Sequence, residues 1–519
     1  MIRLIRPGTA PLRPRLTAVL CVAAMACTVS ARADTLKQQV DGWRTAHEQD
    51  ILTPFDTLIR FHSVAAEPQG IAAAAGWLQD ALKTRGFQTE LLAVPGAPPV
   101  VFGSLPTPGA TRTVVFYAHY DGQPVTPSQW ATPPFDPVMR SGPLGSGEHV
   151  VDWKTATPPY DPEWRLYGRS AGDDKVSALV FLQAFDALKA LGRRPSVNIK
   201  VVWEGEEEAG SPHLQEILRK NADKLSADLW LIGDAPVHQS RRPLLYFGAR
   251  GITGFDATIY GPIKPVHDGH YGNWVPNPAA LAAELVAEMR APDGRVLIPG
   301  FMDEVRAQTS AERKAIAALP PVAGELKQEF QIAQPETTDR LIEAIMRPAL
   351  NVRGLRAGKV GTAATNAIPV DAELSIDFRL VPDQTPEHVR AQVEAFLRAK
   401  GWTIVDRTPD EATRLAHPRI IKIDWEAGYA AFRSDMSSPT ARAVMAAAQS
   451  ASDMPLAISP MLGGSVPLYI FDEIFHAPII GLPVANHDDN QHAANENIRL
   501  QNVWDGIDVY AAMMAELSW

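Results

Sequence analysis

Four apolar runs in the 519-residue chain lead into side chains able to bind a cation. They are TVVFYAHYD (113–121), the approach to GDDK (172–175), NIKVVWEGEEE (198–208) and LWLIGD (229–234). Each reads as a strand, and helical sequence lies between them: VSALVFLQAFDALKALG (176–192) and HLQEILRKNADKL (213–225). Such alternation predicts an α/β fold, a mostly parallel sheet with helices on both faces. In an open sheet of this kind ligands bind beyond the carboxyl ends of the strands, which is where these acids and histidines fall.

Ahead of the runs, 35–85 is helical in pattern, with Trp43, Ile51, Phe55, Leu58 and Ile59, then AAAAGWLQDALKTRG (72–86). The segment 124–162, dense in Pro, Gly, Trp and Asp, reads as a long functional or decorative loop outside the core. From 247 the character changes. GITGFDATIYG (251–261) and AELSIDFRLVP (372–382) alternate as antiparallel strands do, while NPAALAAELVAEM (277–289) and EHVRAQVEAFLRAKG (387–401) read as helices. A smaller α+β domain over 249–429 follows from this. A helix at 436–451 and a buried strand, APIIGL (477–482), then precede NQHAANEN (490–497) and its His492. A candidate ligand so far along the chain requires the smaller domain to be inserted into a catalytic domain formed by 34–248 and 430–519.

Hydrophobic residues at 46% and charged residues at 21% are those of a globular protein. The formal charge is −10, and five arginines with no acid or lysine fall in the first 33 residues, so the remainder carries −15. Such an acidic body is a poor nucleic-acid partner. Arg3, Arg6, Arg13 and Arg15 followed by LTAVLCVAAMACTVSA (16–31) and Ala31-Arg32-Ala33 form a secretory-signal pattern with cleavage after Ala33. The apolar run is too short and alanine-rich for a convincing spanning helix, and a retained N-terminal anchor is the alternative. The expectation is a secreted, periplasmic protein with no membrane association after cleavage. Cys21 and Cys27, the two cysteines, both lie in this segment, so metal ligands in the mature chain must be histidine or carboxylate.

Taken singly, each candidate has an ordinary structural reading. His119 and Asp121 could be a surface histidine and a turn acid, although a carboxylate two residues on suits a metal-bound imidazole that donates its other N–H. Asp173 could cap the helix that follows, yet a carboxylate can also bridge two metals about 3.5–4 Å apart. Glu206, Glu207 and Glu208 place like charges together, which is costly unless cations neutralise them; one could ligate while its neighbour acts as general base. Asp234 could end a strand, and His492 could be a loop histidine. Five such sites in the order His, Asp, Glu, Asp, His, each at a strand end or loop, make independent accidents a poor account.

With HYDG (119–122), GRSAGDDK (168–175), EGEEEAGS (204–211), GD (233–234) and QHAANE (491–496), the chain resembles the di-metal aminoacylase, carboxypeptidase and dipeptidase family of metallopeptidases, metallopeptidase family 20. It is most similar to the carnosine dipeptidase and cytosolic non-specific dipeptidase branch, and FGARGITGF, VHDGHYG, IDFRLVP and GGSVP extend the match over nearly the whole mature chain. The resemblance implies His119 and Asp234 on one metal, Glu208 and His492 on the other, and Asp173 bridging both. It implies Glu207 as general base and Asp121 as the partner that orients His119. It further implies a homodimer in which His267 reaches the neighbouring subunit's site to polarise the scissile carbonyl. Asn366, Arg379, Gly464 and Ser465 would hold the substrate, with Arg379 and the glycine-rich loop on its carboxylate. Ser170 and Val176 depart from the family's usual glycines.

The expected activity is hydrolysis of an amide bond in a small peptide bearing a free carboxylate, of dipeptidase or carboxypeptidase type. Two divalent ions, Zn2+ first with Mn2+ or Co2+ also suited, would serve it. An aminoacylase acting on N-acyl amino acids is the nearest alternative. A non-catalytic binding protein on a peptidase fold is the remote one.

Overall fold

The computed structural model describes residues 34–519 together with Met1 and Gly8. The rest of the segment read as a signal, with Cys21 and Cys27, lies outside the described residues. No helix among the described residues is long and apolar enough to cross a membrane.

Eight strands form the larger sheet, in the order Gln88–Leu92, Val100–Leu105, Asn198–Glu204, Thr113–His119, Leu229–Ile232, Ile479–Gly481, Leu244–Tyr246 and Ala457–Ser459. The four central strands are mutually parallel, while the pairs on the Gln88–Leu105 edge are antiparallel. The sheet is therefore mixed, with the parallel block where three of the four apolar runs and APIIGL predicted it; the approach to GDDK instead enters a separate antiparallel sheet as Arg165–Tyr167. Those runs are apolar on both faces because both are covered. In the strand Thr113–His119, Val114, Phe116 and Ala118 join one core with the helices Glu48–Ile59, Lys175–Ala190 and Leu500–Ala515. Val115 and Tyr117 point the other way, into a core with Leu214, Leu218 and Phe471. Truncating a fully buried ring such as Phe116 to alanine costs about 3–5 kcal/mol in such a core.

The helix Lys175–Ala190 is buried on nearly every side, which explains why its sequence lacks a polar stripe. Val176, at a place where the resemblance leads one to expect glycine, is fully buried there.

The smaller sheet has the order Ala349–Ala357, Asp371–Leu380, Gly251–Tyr260, Ile420–Trp425, Thr403–Val405, antiparallel except for the last pair. All five strands fall between two stretches that build the larger sheet. One face, with Phe255, Ala257, Ile259 and Phe378, packs under the helices Pro278–Met289 and Pro386–Ala399. Ile252 and Arg379 alternate onto the opposite face.

One expectation needs correction. The segment 124–162 is not peripheral: Met139, Trp153 and Tyr160 are buried members of the main core. Its strand Val138–Arg140 pairs with Arg165–Tyr167, which pairs with Asn497–Arg499. The segment thereby fastens the His492 region to the rest of the domain.

Candidate metal centre

Parallel register brings the strand ends level. His119 pairs with Glu204, and Tyr117 pairs with Ile232, so the residues just beyond, Asp121, Glu206–Glu208 and Asp234, leave the sheet at one edge. Asp173 reaches the same edge from the start of the helix Lys175–Ala190, and His492 from the loop before Asn497–Arg499.

Two groups of ligand-capable atoms result. His119, Glu207 and Asp234 each bring one such atom within 4.8 Å of the others, and so do Asp173, Glu208 and His492. Asp173 links the groups: its Oδ1 lies 2.9 Å from His119 Nε2 and its Oδ2 lies 3.1 Å from His492 Nε2. His492 Nε2 is also 3.0 Å from Glu208 Oε2. His119 Nδ1 lies 3.3 Å from Asp121 Oδ1. Glu207 thus stands within the His119–Asp234 group, beside the residues that flank it as ligands in the sequence reading.

The charges at this edge call for cations. Burial first, and the neighbouring Asp173 charge second, push the Asp234 carboxyl up to about 7. Burial and Asp234 likewise hold Glu207 well above the usual carboxylate range. Burial opposes ionisation of Asp173 as well, but hydrogen bonds from His119 and His492 hold it well below its ordinary value. Hydrogen bonds to Asp173 and Glu208 in turn lift His492 to about 10. A set of four carboxylates and two imidazoles, converging from strand ends, a helix start and a loop, fits two hard or borderline divalent ions.

Supporting groups fix the geometry. Asp121 accepts from the backbone N–H of Glu207 at 3.2 Å and of Glu208 at 3.1 Å, so the carboxylate that lies against the His119 ring also holds the acidic turn. Gln123 Nε2 donates to Glu208 Oε2 at 2.8 Å, and Gln491 Nε2 to Asp173 Oδ2 at 2.7 Å. Glu496, fully buried, accepts from the N–H groups of Ser170, Gly172 and Asp173 and from Arg169 Nη1 at 2.8–3.0 Å. Ser170 has φ of 63°, the left-handed region that glycine enters freely, which gives a reason for the family's glycine there. Gln123, Gln491 and Glu496 were not singled out from sequence. Glu496 had a signal, since it lies inside the QHAANE motif, four residues after His492.

The substrate candidates separate into two places. Arg379 Nη1 donates to Ser465 Oγ at 2.8 Å and its Nε to Asp377 at 2.9 Å, while Gly464 O accepts from Arg250 N at 3.3 Å. Arg379 and the loop 463–465 therefore form one polar patch. His267 and Asn366 meet each other instead: Val266–His267 pairs with Ala367–Ile368, and Asn366 O accepts from Asp268 N at 3.1 Å. His267 is about half exposed, and neither residue hydrogen-bonds or ion-pairs with the cluster of carboxylates among the described residues.

Parallel strand ends that deliver two linked sets of histidine and carboxylate define a metal-dependent hydrolase of the metallopeptidase class. The chain belongs to peptidase family M20/M25/M40, which matches it over residues 115–516. Among curated relatives it is similar to the Cys-Gly metallodipeptidase dug1 of Schizosaccharomyces pombe, 27% identical over 431 residues covering 81% of this chain and 83% of that one. The Beta-Ala-His dipeptidase of Homo sapiens is 27% identical over 430 residues, covering 81% of this chain and 78% of that one. Among solved structures, the M20 family metallo-carboxypeptidase Sso-CP2 of Sulfolobus solfataricus superposes with a TM-score of 0.72 at 25% identity, covering 90% of this chain and 99% of that one.

Proposed function

We propose that this protein is a two-metal dipeptidase that hydrolyses the amide bond of a small peptide bearing a free carboxylate. The observation that carries the reading is Asp173, whose two oxygens face His119 and His492 across the two ligand groups. His119 and Asp234 would hold one divalent ion, Glu208 and His492 the other, with Asp173 shared; zinc fits best, and manganese or cobalt suit the same donors. Bound there, the ions would polarise the scissile carbonyl and lower the pKa of the attacking water.

Glu207 is the residue placed to take a proton from that water and return it to the leaving amine. Its carboxylate has no hydrogen-bond donor among the described residues, while its backbone is held by Asp121, so the group is positioned yet free to exchange a proton. Arg379, seated by Asp377 and Ser465, offers a fixed guanidinium for the substrate's carboxylate. His267 and Asn366, exposed and without a hydrogen bond or ion pair to the cluster among the described residues, fit a role in a homodimer, where the partner subunit's His267 would polarise the carbonyl. The similarity to named metallodipeptidases supports dipeptides as the substrate class. The signal-like N-terminus supports export to the periplasm, which N-terminal sequencing of the native protein checks.

A dipeptide panel run beside N-acetyl amino acids, each with and without chelator, tests the reading. Chelator-sensitive dipeptide hydrolysis is expected. Preferential release of amino acids from the N-acetyl series would replace it with the aminoacylase reading.

A further inference from the structure

Beside Arg379 stands an aromatic pair that the proposed chemistry does not use. Tyr429 and Ile252 exchange both backbone hydrogen bonds, at 2.9 and 3.0 Å, and Ile252 in turn pairs with Arg379 across the neighbouring strand. Side chains opposite one another in antiparallel strands share a face. Tyr429, Ile252 and Arg379 therefore form a row on the face of the smaller sheet opposite its helices. The approach is close because glycines permit it. A Cβ on Gly251 would lie 2.4 Å from Tyr429 O, and one on Gly428 would lie 2.5 Å from Ile252 O.

At the end of this row the Tyr429 ring stacks on Tyr469, with centroids 5.5 Å apart and planes 15° from parallel. Tyr469 lies four residues after Ser465, which hydrogen-bonds Arg379. Both residues are half-buried, and neither phenol takes part in a hydrogen bond among the described residues. Burial raises the Tyr429 phenol above its ordinary value, and the charge of Glu207 adds to this while Arg379 opposes it. The ring thus lies within electrostatic reach of both the proposed base and the proposed carboxylate grip.

We propose that Tyr429 and Tyr469 wall a subsite for the side chain of the carboxylate-bearing residue, and that the subsite selects substrates with an aromatic residue there. The inference rests on the reading of Arg379 and Ser465 as the carboxylate grip. A substrate held by its carboxylate at Arg379 must direct the adjoining side chain away from the guanidinium. The stacked rings offer that side chain a flat apolar surface, and aromatic pairs prefer offset-stacked or edge-on contact.

The metal-loaded enzyme is assayed on Ala-Phe and Ala-Ala, with binding of L-phenylalanine and L-alanine measured by calorimetry. Wild type is expected to favour Ala-Phe. Tyr429→Ala and Tyr469→Ala should each lower kcat/KM for Ala-Phe by about 3- to 10-fold, mainly through KM, the size of one lost aromatic contact. Ala-Ala should change by less than about 2-fold, and Tyr429→Phe should keep the preference because it keeps the ring. Equal losses on both peptides, or no loss on either, would overturn the subsite and leave the dipeptidase reading standing. L-phenylalanine binding that depends on Tyr429, in a protein that cleaves neither peptide, would support the subsite and overturn the dipeptidase reading instead.

Discussion

The backbone N–H of Asp173 donates to the buried carboxylate of Glu496 at 3.0 Å. Two more N–H groups of the same loop and the guanidinium of Arg169 converge on that carboxylate, so the residue that links the two ligand groups is held by one acid 323 positions further along the chain. Glu496→Ala leaves Arg169 buried without its counter-charge, and losses of about 3–5 kcal/mol follow from such removals. Urea denaturation is expected to show an unfolding free energy lower by that amount. Metal content should fall with it, because groups that orient ligands are worth about 10- to 100-fold in metal affinity. Glu496→Gln, which retains an acceptor, should fall between the two.

Glu207→Gln keeps the size of the side chain and removes its proton chemistry. The variant should bind two metals as wild type does, while kcat falls by about 10²- to 10⁴-fold, the usual contribution of a general base. Turnover near the wild-type level, with metal content verified, would remove Glu207 from the mechanism.

Protons and cations compete for the centre. The folded-state values of Asp234, about 7, and His492, about 10, are both raised above 3.8 and 6.5, their ordinary values. For a raised group the contribution to metal-free stability is fully present below the unfolded value and is lost as pH rises through the folded one. Ligation needs the opposite, deprotonated state. Metal binding should therefore release protons, and the metal-induced rise in Tm should be larger at about pH 8 than at about pH 6. Titration calorimetry in buffers of different ionisation enthalpy reads the release directly; pH-independent affinity without proton release would contradict the ligand set.

Much of this centre was legible in the chain because parallel strands buried on both faces are continuous apolar runs, and their ends can be read. His119, Glu208 and Asp234 follow such runs by only a few residues. Other parts carry no local signature. The edge strand Gln88–Leu92 and its neighbour Val100–Leu105 lack a clear alternation, and QTELL is largely exposed. The three-residue strand at 165–167 is defined by pairing with Asn497–Arg499, more than 300 residues away, and the strand at 138–140 only by pairing with 165–167, so no short window along the sequence contains the interactions. For the same reason Gln123 and Gln491 were silent: an amide that holds a distant carboxylate looks like any surface glutamine. The Tyr429–Tyr469 pair depends on two glycines that let backbones touch, which composition alone does not reveal.

If the partner subunit's His267 completes the site, two inactive variants should complement each other. His267→Ala and Glu207→Gln subunits, mixed and allowed to exchange, should regain roughly a quarter of the wild-type rate, since random pairing makes about half the dimers mixed and each has one of its two sites intact. Exchange confirmed by mass with no recovery would place His267 outside the shared site.

The central claim is that hydrolysis depends on two cations held around Asp173. Elemental analysis and dipeptide hydrolysis on one sample, before chelation, after it and after readdition of zinc, test this most directly. About two metals per chain are expected, with loss of both metal and activity together on chelation and recovery of both on readdition. Undiminished hydrolysis by protein shown to be free of metal would contradict it.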